Sequence, residues 1–129
     1  MKIMIIDDDP SYAALTTRIL RGEGHEVAYA PDAIAAISVA RAEKPDLILL
    51  AVGLPAGDGT VVLRRLRSLT VTALTPVIVI TGGDVSQDQV DLFRGDDVWT
   101  ILQKPVPRDV LVTTVADALV GTTDAETGP

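Results

Sequence analysis

The chain has 129 residues with 47% hydrophobic content, which predicts one globular domain with a core of its own. It contains no cysteine, so disulfides, thiol catalysis and cysteine-ligated metals are excluded. A formal net charge of −7 at pH 7 argues against direct binding to nucleic acid, because the phosphate backbone is also negative.

The first predicted element is an apolar strand over residues 2–6, followed by the acidic residues Asp7, Asp8 and Asp9. A buried strand of this kind would deliver its carboxylates to one end of the sheet. The apolar start is too short for a signal peptide or a membrane span, so we expect a cytoplasmic protein without membrane contact.

Two predicted helices follow, separated by a short strand over residues 27–30. The first begins at Pro10, which suits a first helical turn, and ends near Gly22 or Gly24. The second ends before Pro45. The sides expected to face the core carry Tyr12, Leu15 and Ile19 in the first helix, and Ile34, Ile37 and Arg41 in the second.

The stretch over residues 45–59 is the most informative part of the chain. Its apolar run at residues 47–50 is typical of a central parallel strand that is covered by helices on both faces. A loop rich in glycine and proline follows and ends at Asp58, a residue suited to cap the next helix. In open α/β sheets, binding sites form just outside the carboxyl ends of the strands. Residue 51 should therefore point into the site, and it is Ala51, whose side chain is one methyl group.

The second half of the chain continues the alternation of helix and strand. After the helix that follows Asp58, the predicted elements are a strand over residues 77–80 ending at Thr81, a short helix over 86–93, a strand over 98–102 before Lys104, and a last helix from Pro107 to Gly121. The core positions expected in the third and last helices are Val62, Leu63, Leu66, Leu111, Val115 and Leu119.

Strands and helices that alternate in this way predict an α/β fold. Its architecture would be a doubly wound sandwich, in which a five-stranded parallel sheet lies between two layers of helices. We assign residues 1–121 to this domain. Residues 122–129 are small and polar without apolar periodicity, and we expect a disordered tail or a linker there.

Polar side chains gather where the predicted strands end, namely Asp7 and Asp8, Thr81, and Lys104. Taken singly, each has an ordinary structural explanation, as a helix cap, a turn residue or a solvated lysine. Together, on one edge of a parallel sheet, they suit a divalent cation and a phosphoryl group. Carboxylates bind hard cations, and a hydroxyl and an ammonium bind phosphoryl oxygens.

Four segments then carry a resemblance: IIDDDP after the first strand, PDLILLAVGLPAGDG around the third, PVIVITG at the fourth and QKPV after the fifth. In their order and spacing, the chain resembles the receiver domain of two-component response regulators over residues 1–120. The resemblance implies a flavodoxin-like (βα)5 fold with strand order 2-1-3-4-5. It also implies a role in phosphorelay signalling rather than enzymatic catalysis, with a histidine kinase or another signalling protein as partner.

The family's pattern implies roles for individual residues. Asp7 and Asp8 would form the acidic pocket for Mg²⁺, with Asp8 as a direct ligand and the backbone carbonyl of Gly53 as another. Thr81 would be the switch hydroxyl. Lys104 would contact the phosphoryl group, held in place by a cis bond to the proline that follows it.

The chain departs from that pattern at two positions. Ala51 stands where the family has the aspartate that accepts a phosphoryl group, and a methyl group has no oxygen to attack phosphorus. The same change removes one Mg²⁺ ligand, so Mg²⁺ is expected to bind more weakly. Ile101 stands where the family often has an inward-turning aromatic residue, so the aromatic switch is either absent or moved to Trp99. Asp8 and Asp9 are the nearest alternative acceptors, but neither lies at the end of the third strand.

The sequence leaves several functions open. The first is a pseudo-receiver that acts through protein contacts without phosphoryl transfer. The second is a conventional phospho-switch that carries an engineered Asp-to-Ala change at position 51. The third is a flavodoxin-like binder of a nucleotide or flavin, which the acidic run after the first strand disfavours because it would repel phosphate. A metal-dependent phosphatase with Asp7 as nucleophile fits the QKPV segment less well.

The resemblance also implies a surface for self-association. Receivers of this family pair through their fourth helix, fifth strand and fifth helix, a region that contains Trp99, Asp88 and Asp91 in this chain. A homodimer through this face is therefore predicted.

Overall fold

Five short parallel strands form the middle layer of the fold. The computed structural model describes residues 1–52, 59–82 and 98–127, with side chains up to residue 121. The helix predicted over residues 86–93 and the predicted cap Asp58 lie outside these residues, so the last helix is labelled α4. The strands are β1 Lys2–Ile6, β2 Glu26–Ala30, β3 Leu47–Ala51, β4 Val77–Thr81 and β5 Thr100–Gln103, and the helices are α1 Pro10–Gly22, α2 Ala33–Glu43, α3 Gly59–Ser68 and α4 Arg108–Thr127.

The strand order is β2-β1-β3-β4-β5, and every neighbouring pair is parallel. The predicted α/β class and the implied order 2-1-3-4-5 are both confirmed. In the register, Ile6 pairs with Leu50 and Ala51 pairs with Ile80. The carboxyl ends of β1, β3 and β4 therefore lie side by side at one edge of the sheet.

The central strands β3 and β4 are buried at all five of their positions, as their continuous apolar runs predicted. Successive side chains point to opposite faces of a strand, so the sheet presents two apolar surfaces. One surface packs on α2 and α3, where Met4, Ile6, Ile48, Leu50, Val77 and Val79 of the sheet share a cluster with Leu63 and Leu66 of α3. The opposite surface packs on α1 and α4, where Ile3, Ile5, Leu49 and Ile78 of the sheet share a cluster with Leu20 of α1 and Val115 of α4.

The core-facing sides of α1 and α2 differ from the prediction. Leu15 is 54% exposed, whereas Ala13, Thr16 and Leu20 are buried in α1. The buried face keeps the expected spacing of three and four residues but is displaced by one position, because small side chains fit closely against the sheet. In α2 the same reason applies: Ile34 is exposed, while the alanines at positions 36 and 40 are buried.

In the other two helices the predicted core positions are confirmed. Val62, Leu63, Leu66, Leu111, Val115 and Leu119 are all buried. The end of α4 was predicted wrongly, because the helix continues past Gly121 to Thr127. The expected disordered tail over residues 122–129 is therefore helical as far as Thr127, and its use as a linker stays a prediction. No helix in the described part of the chain is long and apolar enough to cross a membrane.

Replacing Leu63 with alanine tests the packing of α3 on the sheet. Leu63 is fully buried, so Leu63→Ala should lower the free energy of unfolding by about 2–5 kcal/mol through lost apolar contact and the cavity left behind. Leu74 is 89% exposed, and Leu74→Ala should change it by no more than about 0.5 kcal/mol. Urea denaturation followed by circular dichroism measures both. Equal losses in the two variants would contradict this placement of α3.

Candidate functional site

The candidate site lies at the carboxyl edge of the sheet. Asp7 follows β1, Ala51 ends β3, Thr81 ends β4 and Lys104 follows β5. Backbone hydrogen bonds fix these strand ends relative to one another: the Asp7 N–H donates to Ala30 at 3.2 Å, and the Lys104 N–H donates to Thr81 at 2.7 Å. The parallel register thus brings together four positions that are far apart in the sequence, as predicted.

Asp7 is the most constrained polar residue of the site. It is only 3% exposed, and both of its carboxylate oxygens have partners. Oδ2 lies 2.9 Å from the Nζ atom of Lys104, and Oδ1 accepts a hydrogen bond of 2.9 Å from the backbone N–H of Asp9. A buried carboxylate is stable only when it is paired and hydrogen-bonded, and Asp7 satisfies both conditions.

The other two aspartates of the acidic run have different positions. Asp9 is the N-cap of α1: its Oδ1 accepts hydrogen bonds from the backbone N–H groups of Ser11 and Tyr12, each at 3.1 Å. Asp8 is exposed. Of the two carboxylates that the sequence suggested for the acidic pocket, Asp7 is buried and paired, whereas Asp8 is exposed and its role in the pocket stays a prediction.

Two tyrosines that sequence reasoning did not assign to the site are in contact with it. The Lys104 ammonium lies 4.3 Å from the centre of the Tyr12 ring, within the range of a cation–π interaction. The Tyr29 hydroxyl donates a hydrogen bond of 2.7 Å to the backbone oxygen of Asp7. Tyr12 was predicted as a core position of α1, yet its place in the first turn after β1 was a signal that it lies near the strand end.

The surroundings of these tyrosines shift their ionisation. Burial raises the pKa of the Tyr12 phenol, while a backbone hydrogen bond from Val106 and the Lys104 charge act in the opposite direction. Burial also raises the pKa of Tyr29, and the nearby Asp7 charge adds to that effect. Both side chains are therefore neutral hydrogen-bonding groups at physiological pH.

The centre of the site is apolar. Ala51 is 4% exposed and borders a small internal cavity together with Asp7, Tyr12 and Ile80. Thr81 is buried as well, and its hydroxyl donates to the backbone oxygen of Leu102 at 3.4 Å, a long hydrogen bond. Ala51, which the sequence predicted to point into the site, contributes one methyl group to the cavity wall.

Neither candidate position for the aromatic switch holds an aromatic side chain that points inward. Ile101 is half-buried and packs against the sheet surface that faces α2 and α3. Trp99 is 46% exposed, and its ring lies so close to Gly121 of α4 that a Cβ atom at that glycine would overlap it. The indole therefore lies on the outer surface formed by β5 and α4.

The residues present do not fit the Mg²⁺ site that the resemblance implied. Mg²⁺ prefers an octahedral set of oxygen ligands. Asp7 is already paired with Lys104, and Ala51 supplies no side-chain oxygen. Within the described ranges, no group of three acidic or histidine side chains converges on one point. The third expected ligand, the carbonyl of Gly53, lies outside those ranges.

The peptide bond between Lys104 and Pro105 is cis, as predicted.

Comparison with known proteins identifies the family. Residues 3–116 match the response regulator receiver domain. PilH of Pseudomonas aeruginosa is 32% identical over 120 residues, which cover 93% of this chain and 98% of PilH. The DNA-binding response regulator MtrA of Mycolicibacterium smegmatis is 37% identical over 94 residues, or 73% of this chain, but the match spans only 39% of MtrA.

Solved structures agree with this match. A CheY-like receiver domain from Methanospirillum hungatei has a TM-score of 0.89 at 26% identity, with 96% of this chain and 97% of that chain covered. The receiver domain of a LuxO repressor protein from Vibrio parahaemolyticus has a TM-score of 0.87 at 25% identity, covering 98% and 95%. With its flavodoxin-like sheet and the match over residues 3–116, the chain belongs to the response regulator receiver domain family of two-component systems.

Proposed function

We propose that this domain is a receiver that signals through protein contacts and does not accept a phosphoryl group at position 51. One observation carries the proposal: the side chain at the end of β3 is a buried methyl group. Phosphoryl transfer to a receiver requires a carboxylate oxygen as nucleophile, and Ala51 has none. A histidine kinase would therefore not phosphorylate this residue, and partners would bind surfaces whose conformation does not depend on phosphorylation at position 51.

The neighbouring carboxylates are poor substitutes for the missing acceptor. Asp7 has both oxygens engaged, by Lys104 and by a backbone N–H group. Asp9 is occupied as the cap of α1. Asp8 is exposed and follows β1 rather than β3. These partners and positions favour loss of the acceptor function over its transfer to another residue.

A conventional phospho-switch with an engineered Asp-to-Ala change is the second candidate. The retained Thr81 and Lys104 favour it, because both keep the positions of phosphoryl-binding groups at the ends of β4 and β5. Ile101 favours natural divergence, since an engineered acceptor change would leave the aromatic switch in place. The genomic coding sequence decides between them: an aspartate codon at position 51 identifies the engineered chain.

The partners of such a module would be proteins. Trp99, directly before β5, and Val120, in α4, are exposed apolar side chains in the part of the predicted homodimer face that the structure describes. An aromatic anchor beside an aliphatic side chain is typical of the energetic centre of a protein interface. We propose that a second copy, a histidine kinase or another signalling protein binds there, and that nucleic acid does not bind this acidic domain directly.

Treatment with a small phosphodonor tests the missing acceptor. The unaltered chain, incubated with acetyl phosphate and MgCl₂, should show no phosphoryl adduct in its intact mass, because the residue that ends β3 has no carboxylate oxygen to attack phosphorus. Ala51→Asp should gain an acid-stable, base-labile adduct, and Ala51→Asn, of similar size without a nucleophilic oxygen, should not. An acyl phosphate on the unaltered chain would contradict the proposal. No labelling of Ala51→Asp would mean that more than the acceptor has been lost.

Light scattering coupled to size exclusion tests the homodimer face. The unaltered chain should form a dimer at high concentration, and Trp99→Asp should shift it to monomer because a charge would replace the apolar anchor. Leu15→Asp, at an exposed leucine of α1, is the matched control and should leave the dimer intact. A monomer at every concentration, or equal loss of dimer in both variants, would exclude this face.

A further inference from the structure

The site already contains a cation of its own. The Lys104 ammonium lies 2.9 Å from Asp7 Oδ2 and 4.3 Å from the centre of the Tyr12 ring. Three separate parts of the chain meet at this nitrogen: the end of β1, the first turn of α1, and the segment between β5 and α4. The ammonium is therefore held on two sides by groups that favour positive charge.

The need for a cation at this place follows from the burial of Asp7. A buried carboxylate must be neutralised by protonation, by a metal or by a cationic side chain. A carboxylate at position 51 would compete for the lysine, but Ala51 offers no charge. Among the residues that the structure describes, Asp7 is the carboxylate that pairs with this ammonium, and the two charges balance.

Tyr12 contributes more than apolar packing to this arrangement. Its ring presents a negative π face to the ammonium, which lies 4.3 Å from the ring centre. The backbone at Tyr12 is fixed in turn, because its N–H group is capped by Asp9. The backbone that carries the ring is thus held independently of Lys104.

We infer that the Lys104 ammonium, held between the Asp7 carboxylate and the Tyr12 ring, is a built-in cation that takes the place of the divalent metal. The site of this chain accordingly neither requires nor binds Mg²⁺, and Tyr12 is the positioning residue for the lysine. The inference goes beyond the proposed function, which concerns the phosphoryl acceptor. A phosphoryl adduct on the unaltered chain would overturn that function and leave the metal question to the experiments below.

The first experiment measures divalent cation binding directly. MnCl₂ is titrated into ¹⁵N-labelled protein, and paramagnetic broadening of the amide signals of Asp8 and Lys104 is followed. MgCl₂ is also compared with NaCl of equal ionic strength in thermal unfolding. The unaltered chain should show no selective broadening and no rise in melting temperature beyond the NaCl control. Selective broadening at the two amides, or a Mg²⁺-specific rise, overturns the inference.

The second experiment removes the built-in cation. Lys104→Met should lower the melting temperature by several degrees, and the variant should then respond to MgCl₂, because Asp7 is left without a counter-charge. Lys2→Met is the matched control: it removes the ammonium of an ion pair of 2.8 Å with Glu43 that is more exposed to solvent. A similar loss in both variants, or no new response to MgCl₂ in Lys104→Met, overturns the inference.

Two further sets of variants keep the test valid if Lys104→Met folds poorly. The double variant Asp7→Asn with Lys104→Met removes both charges and should be more stable than Lys104→Met alone, since no unpaired charge remains. Tyr12→Phe, which keeps the ring, should retain indifference to MnCl₂, whereas Tyr12→Leu should permit broadening at Asp8. The inference is overturned if the double variant loses as much stability as the sum of the losses in Asp7→Asn and Lys104→Met. It is also overturned if Tyr12→Phe and Tyr12→Leu respond equally to MnCl₂.

Discussion

The pairing of a buried carboxylate with an ammonium is the interaction on which the site depends. Asp7 lies at the end of β1, out of contact with solvent, and Lys104 reaches it from the far side of the sheet. Removal of one partner of such a buried pair typically costs about 3–5 kcal/mol, because the remaining charge is uncompensated. That is a large part of the free energy of unfolding of about 5–15 kcal/mol that a domain has. The pair therefore fixes the segment after β5 against the end of β1.

The parallel sheet determines what this pair can contact. β3 lies between β1 and β4, so the residue that ends it faces the middle of the site. The resemblance implies that the family's phosphoryl acceptor stands at that position, where this chain has the buried methyl group of Ala51. Under the proposed function, this one residue accounts together for a missing nucleophile, a missing metal ligand and a missing competitor for Lys104. The stability of the fold resides in the apolar surfaces of the sheet, and the methyl group of Ala51 is part of one of them.

Much of the fold could be predicted from the sequence, because the central strands are unbroken apolar runs and turn residues separate them. The faces of α1 and α2 could not, since alanine and threonine pack closely against the sheet while larger neighbours such as Leu15 remain exposed. The site positions were predicted from the strand ends and the family resemblance. The roles of Tyr12 and Tyr29 were missed, because their contacts join residues distant in sequence and no periodicity records such contacts.

The contact between Trp99 and Gly121 has a practical consequence. The indole is the only one in the chain, and it rests on a helix position that lacks a side chain. The shape of this outer surface consequently depends on Gly121 of α4, whose missing Cβ atom leaves room for the indole ring. The same geometry makes the protein's intrinsic emission a label-free reporter of that surface: any molecule that covers the ring, or any substitution that lifts it from the helix, changes the polarity that the chromophore senses.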